Sequence, residues 1–160
     1  MQLALGRREF LASSVAVAAL GIHSEAFGAP GRFEVQHSAA EWRRRLGPAR
    51  FAILREGSTE RVFTSPLNKE HRRGAFVCAG CGLRLFSSSA KFESGTGWPS
   101  FFKPAAKAVV TRLDSSMLME RTEVLCRRCG GHLGHVFNDG PRPTGLRYCM
   151  NGLAMKFVPA

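Results

Sequence analysis

The stretch Arg121–Phe137, RTEVLCRRCGGHLGHVF, holds two strand-length runs, Arg121 to Cys126 and His132 to Phe137, joined by Cys126-Arg127-Arg128-Cys129-Gly130. Two residues between the thiolates let both sulfurs reach one ion at about 2.3 Å, and a glycine after the second cysteine lets the chain turn beneath the metal. One such knuckle supplies half a tetrahedron. The other half is Cys78-Ala79-Gly80-Cys81-Gly82, with 44 residues between Cys81 and Cys126. Cys78, Cys81, Cys126 and Cys129 together close the coordination shell, so the expected ion is one structural zinc that contributes folding energy and activates no water. Iron fits the same four sulfurs. Redox pairs or disulfides are the competing reading, but a redox pair has no need of a second knuckle.

Outward from this stretch, Ala75 to Cys78, Leu83 to Phe86, Ala108 to Leu113, Leu146 to Met150 and Ala154 to Val158 are further short runs, separated by Gly, Pro, Ser or Asp. Seventeen Gly and eight Pro add many tight turns. The pattern predicts an antiparallel, mainly β (α+β) domain with one or two short N-terminal helices. Ser38-Ala39-Ala40-Glu41 is a capping box, in which the Ser hydroxyl accepts from the Glu41 amide and the Glu41 side chain reaches back to the Ser38 amide. It opens a helix over residues 39–46 with Trp42 and Leu46 as its apolar stripe and Arg43, Arg44 and Arg45 facing solvent. Ser65-Pro66 opens a second helical segment that Gly74 closes.

At 160 residues, 44% hydrophobic and 22% charged, the chain is too short for several domains and too apolar to be disordered. Twenty-three Lys and Arg against twelve Asp and Glu give a net charge of +11, suited to an anionic partner without choosing one. At the N-terminus Arg7 and Arg8 precede an uncharged run that ends at Ile22, too short for the ~20 apolar residues a membrane-spanning helix needs. With the small-residue exit Ala26-Phe27-Gly28, residues 1–28 resemble a twin-arginine export signal. The expected organisation is therefore a signal over 1–28, a linker over 29–37 and one domain over 38–160, exported and periplasmic.

Cys149 belongs to neither knuckle. A leftover thiol is inert and buried, half of an intermolecular bridge, or a nucleophile. Arg147, two residues away on the same side of a strand, favours the nucleophile by stabilising a thiolate. His132 and His135 can reach a shared site through a bend at Gly134, and Asp139, four residues beyond His135, can set its tautomer or favour its protonated form. Cysteine, histidine and carboxylate describe nucleophilic catalysis in general, cysteine hydrolases included. A zinc-ribbon nucleic-acid-binding module is the alternative from another class, motivated by the knuckles and the charge, and it leaves Cys149 and the histidines unexplained.

The segments 86–88, 91–101 (KFESGTGWPSF), 121–124, 132–137 (HLGHVF), 139–141 and 147–151 (RYCMN) closely resemble the B-type peptide-methionine sulfoxide reductases, in order and with both knuckles in place from about residue 50 to 158. The resemblance implies a zinc-stapled, β-tent-like domain that reduces the R epimer of methionine sulfoxide in oxidised proteins or peptides. Carried over, Cys149 attacks the sulfoxide sulfur, and His135, with His132 beside it and Asp139 behind, protonates its oxygen. Trp98 walls the substrate methyl with its indole N–H free to bond, and Phe137 and Phe101 either continue that surface or belong to the core. Asn151 donates an amide hydrogen bond at the site, and Arg147 holds the thiolate.

Two positions depart from the family. Thr96 stands where many members have the cysteine that resolves the sulfenic acid, so an external small thiol or thioredoxin-like partner is expected to reduce Cys149 directly. Gly152, where serine is common, is expected to loosen the strand carrying Cys149. No nucleic acid is expected, and the chain is expected to act as a monomer.

Overall fold

A computed structural model of the chain describes residues 33–117 and 119–160. The expected export signal, residues 1–28, lies outside the described residues. Among the described residues, nine strands follow one α-helical region: β1 Gly74–Cys78, β2 Arg84–Ser87, β3 Lys91–Phe92, β4 Ser100–Phe101, β5 Val109–Met117, β6 Met119–Cys126, β7 His132–Phe137, β8 Arg147–Met150 and β9 Met155–Pro159. They form two antiparallel sheets, a three-stranded one in the order β2-β1-β9 and a six-stranded one in the order β3-β4-β8-β7-β6-β5. Every strand run expected from the sequence is present, to within a residue or two at the ends, apart from β5, which runs four residues further. The core is built from Phe76, Phe86, Phe101, Leu133, Val124, Met150 and Met155, with Leu54 and Trp42 packed in from the helical region. Phe86 stacks on Phe101 with ring centroids 4.3 Å apart, and Phe76 meets Phe101 edge-on at 4.9 Å.

The helical region α1, Ala39–Glu56, is two helices in line, because Gly47 at φ 69° breaks the first and Pro48 restarts the second. The first ends where Trp42 and Leu46 predicted. The second, which places Phe51, Ile53 and Leu54 in the core, has Pro at its start and Gly57 in the left-handed region at its end. Ser38 accepts from the Glu41 amide at 3.2 Å as expected. The Glu41 carboxylate does not return to Ser38; it binds Arg45 at 2.7 Å and His37 at 3.2 Å, where opposite charges outbid an amide. The second helical segment is a single 3₁₀ turn, Pro66–Lys69, capped by Ser65. Gly74 does not close it: it begins β1 against Pro159 of β9, and an added Cβ would lie 2.3 Å from the Val158 carbonyl oxygen. Residues 33–37, expected as linker, run along the second knuckle, where the Val35 amide donates to the Arg128 carbonyl at 2.9 Å. No helix among the described residues is long and apolar enough to cross a membrane.

Candidate active site and metal centre

The two knuckles close on one another. Both turn on a glycine in the left-handed region, Gly82 at φ 74° and Gly130 at φ 68°, whose amides donate to the carbonyls of Cys78 and Cys126. The four Sγ atoms all lie within 4.8 Å of one another, with Cys78–Cys129 at 3.7 Å and Cys81–Cys126 at 3.5 Å. A tetrahedron of 2.3 Å metal–sulfur bonds has edges of about 3.8 Å, so the cluster has the size of a Cys₄ metal site. Without a cation, four packed thiols must share protons: hydrogen bonds among the sulfurs push Cys78 and Cys129 up and draw Cys81 and Cys126 down. A divalent ion removes that conflict by letting all four ionise. All five cysteines are free thiols, which leaves Cys149 outside the cluster and unbridged.

Strand register assembles the other site. Across the six-stranded sheet, Arg112 of β5, Glu123 of β6, His135 of β7, Cys149 of β8 and Ser100 of β4 are successive cross-strand partners. Directly opposed residues point to the same face about 4.5–5.5 Å apart, so His135 and Cys149 are neighbours by construction. His132 would face the other way in a regular strand, being three residues from His135. A β-bulge cures this: Val124 pairs with Gly134 but Leu125 pairs with His132, leaving Leu133 as the extra residue. Gly134 has φ 151° and sits so close to β8 that a Cβ would lie 2.1 Å from the Cys149 carbonyl oxygen. The two imidazoles therefore meet edge-on at 5.5 Å.

Each imidazole has its own carboxylate, and neither is the one the sequence suggested. His135 Nε2 pairs with Asp114 at 2.7 Å, and His132 Nδ1 pairs with Glu123 at 2.6 Å. Asp139 does not stand behind His135; both its oxygens take the Arg147 guanidinium at 2.8 Å, which lowers its own pKa and raises that of Arg147. A fixed guanidinium fork matches a carboxylate better than one imidazole nitrogen does. Arg147 also lies 4.4 Å over the Phe137 ring, and Cys149, two residues along β8, adds to the raising of its pKa after Asp139. The Ser116 hydroxyl and amide, then His135, hold Asp114 well below the usual carboxylate range, with Arg121 pairing to it at 2.7 Å. Burial pushes His132 down, against the pull of Glu123. His132 Nε2 and Arg121 Nε are buried with no hydrogen-bond partner among the described residues.

A cleft of about 130 Å³ opens over these groups, lined by Trp98, Arg121, His135, Phe137, Cys149 and Asn151 among others. Two larger cavities lie elsewhere, one of about 560 Å³ beside Arg73 and Arg84 and one of about 330 Å³ beside Arg50 and Leu67, and neither has a cysteine among the described residues that line it. Phe137 is a wall residue. Phe101 is not: it is fully buried, because Ser100 before it takes the cleft face of β4 and the strand alternates. The Trp98 indole N–H is not free, since it donates to the Glu60 carbonyl at 3.1 Å. Nor is the Asn151 amide: its oxygen accepts from the Glu60 amide at 2.9 Å and its nitrogen donates to the Leu133 carbonyl at 3.3 Å.

Glu60, which the sequence reading passed over, is thus the hub behind the cleft, and its buried carboxylate also accepts from the amides of Gly152 and Leu153. Gly152 does not loosen β8. It is bonded to Glu60, and the room for a side chain is filled by Ser65, whose Oγ would lie 1.8 Å from an added Cβ. Thr96 stands 3.7 Å from the Cys149 sulfur through its hydroxyl.

This fold and site define a β domain with a four-cysteine cluster positioned to bind a metal ion, and with a thiol, an imidazole and an aromatic wall about one cleft. The SelR domain family model matches residues 46–159. The chain is 56% identical over 126 residues to a peptide methionine sulfoxide reductase of Leptospira interrogans, covering 78% of this chain and 96% of that one. It is 56% identical to one from Bradyrhizobium diazoefficiens, covering 79% and 91%, and 49% identical to one from Methanosarcina barkeri, covering 77% and 87%. The chain belongs to the SelR domain family, that of the B-type peptide methionine sulfoxide reductases.

Proposed function

We propose that the protein reduces the R epimer of methionine sulfoxide in oxidised proteins or peptides, with Cys149 as nucleophile. The observation that carries the reading is the β7–β8 register, which sets His135, held by Asp114, directly across from the one thiol outside the metal cluster. The Cys149 sulfur attacks the sulfoxide sulfur while the oxygen takes a proton from an acid at the site. His135 is the candidate: with Nε2 bound to Asp114, its Nδ1 has no protein partner among the described residues. The sum is one thiol plus one sulfoxide giving one sulfenic acid plus one thioether, with two electrons passing from Cys149 to the substrate sulfur. Trp98 and Phe137 receive the methyl group, and an inverted sulfoxide would turn its oxygen to that apolar wall.

No second cysteine lies beside Cys149, so an external thiol forms the mixed disulfide that returns it to the reduced state. The four knuckle cysteines hold a structural zinc, which supplies folding energy and takes no part in the chemistry. Damage repair in an exported, periplasmic setting follows if residues 1–28 act as the twin-arginine signal they resemble. The test is turnover of a racemic methionine sulfoxide peptide with dithiothreitol as reductant. Half of the sulfoxide should be consumed, the S epimer should remain, and Cys149→Ser should be inactive while keeping its metal. Equal consumption of both epimers, or activity in Cys149→Ser, refutes the proposal.

A further inference from the structure

Behind Cys149 runs a chain of three hydroxyls. Thr96 Oγ1 lies 3.7 Å from the Cys149 sulfur, Ser94 Oγ lies 2.8 Å from Thr96 Oγ1, and Ser100 Oγ lies 2.7 Å from Ser94 Oγ. Ser100 then donates to the Trp98 carbonyl at 3.2 Å. The chain is held in place at both ends. Ser100 is buried on β4 directly opposite Cys149. Thr96 sits between Gly95 at φ 74° and Gly97 at φ 90°, whose left-handed turns fold the loop so that the Ser94 and Thr96 side chains meet. The Gly97 carbonyl is tied down by the Phe63 amide and the Asn68 side chain, each at 2.9 Å.

Each hydroxyl carries one proton and accepts through its lone pairs, so three protons serve four gaps between Cys149 and Trp98. If every proton points toward the Trp98 carbonyl, Thr96 shows Cys149 a lone pair. If every proton points the other way, Thr96 shows it an O–H, and only the long 3.2 Å bond to Trp98 is given up. Both arrangements are fully directed, and they differ in what they stabilise.

We propose that this hydroxyl chain reverses with the state of Cys149, donating through Thr96 to the thiolate and accepting through Thr96 from the sulfenic acid S–OH. It rests on the sulfenic acid cycle proposed above and supplies what a one-cysteine cycle requires. The oxidised sulfur is held until an external thiol R–SH arrives, forming the mixed disulfide and one water. A second thiol then releases the Cys149 thiol and R–S–S–R. Reversal moves no net charge, so it adds no charge to the cleft. The charged or titratable groups around Cys149 are Arg147 of β8 with Asp139 from the β7–β8 connection, His135 of β7 with Asp114 of β5, and Arg121 of β6, none of them in the hydroxyl chain.

The test uses the full chain with its metal, and Thr96→Val, Thr96→Ser and Ser94→Ala. The rate of iodoacetamide alkylation of Cys149 against pH reads the donor arrangement. Thr96→Val should move its midpoint up by about half to one pH unit, and Thr96→Ser should match the parent. Hydrogen peroxide, which gives the sulfenic acid and then the sulfinic acid, reads the acceptor arrangement by intact mass. The two-oxygen product should form about fivefold faster in Thr96→Val, and faster in Ser94→Ala than in Thr96→Ser. Parent-like behaviour of Thr96→Val in both assays overturns the proposal. So does Thr96→Ser behaving as Thr96→Val, which would mark a packing effect, and so does Ser94→Ala matching the parent in both, which would reduce the chain to one contact. Neither assay uses methionine sulfoxide, so failure of the parent to reduce that substrate would strike the proposed function separately.

Discussion

Replacing Gly152 with serine tests whether the rear of the cleft is as tightly filled as its geometry implies. An added Cβ would lie 1.8 Å from Ser65 Oγ, 2.7 Å from Ser65 Cβ and 3.2 Å from Glu60 Oε1, against a preferred separation of about 3.5–4 Å between carbons. Rotating Ser65 relieves the first contact and gives up its 3.2 Å bond from the Leu67 amide. It does nothing for the second, so backbone must move. Overpacking of this kind costs ~1–3 kcal/mol, and ~2 kcal/mol for Gly152→Ser lowers the melting temperature by roughly 5–10 °C. Ser65→Gly alone costs about 1 kcal/mol through the lost cap and added backbone freedom. In the double variant the introduced hydroxymethyl group enters the volume Ser65 has left, so most of the loss should return, giving a coupling of about 2 kcal/mol. Urea denaturation of the four proteins measures it. Activity should follow stability, because Glu60 holds both Gly152 and the Trp98 indole. Simple additivity of the two changes would refute the claim that they share one space.

The carboxylate assigned to His135 makes a second prediction: Asp114→Asn should lower kcat/KM by about 10–100-fold, measured at saturating dithiothreitol, and a change within twofold would remove Asp114 from the mechanism. Asp139→Asn should weaken activity less, since Asp139 reaches the site only through Arg147. Cys126→Ser, or exhaustive chelation, should abolish cooperative unfolding, because three of the four cysteines are buried and the cluster ties both knuckles to the core; a folded, metal-free protein by circular dichroism would contradict this. His132 supplies a pH dependence with a definite sign. Its folded pKa lies below the ordinary 6.5, so the unfolded chain binds the extra proton and stability falls as pH drops below about 6.5. His132→Asn should flatten the denaturation midpoint between about pH 7 and 5.5, at equal metal loading.

Local chemistry made much of this protein legible in its sequence. Knuckle spacing, a glycine after each second cysteine and the short apolar runs are properties of about five to ten consecutive residues, and they sufficed for the metal cluster, the strands and the isolation of Cys149. The second half of α1 lies beyond the helix expected over 39–46, although Pro48, Phe51, Leu54 and Gly57 carry its start, apolar face and end; the burial of Phe101 was settled only by the β4–β8 register, which puts Ser100 opposite Cys149.

What the tertiary structure alone decided is which groups meet. Asp114 lies 21 residues from His135, and Glu123 lies 9 from His132 across the knuckle. Only strand order, register and the bulge at Gly134 bring them together. Asp139, close in sequence to His135, goes to Arg147 instead, and Glu60 reaches Gly152 over 92 positions. Spacing along the chain governs what one element does, whereas a polar side chain pairs with whatever charge the pleat sets opposite it, and a one-residue bulge is enough to change that partner.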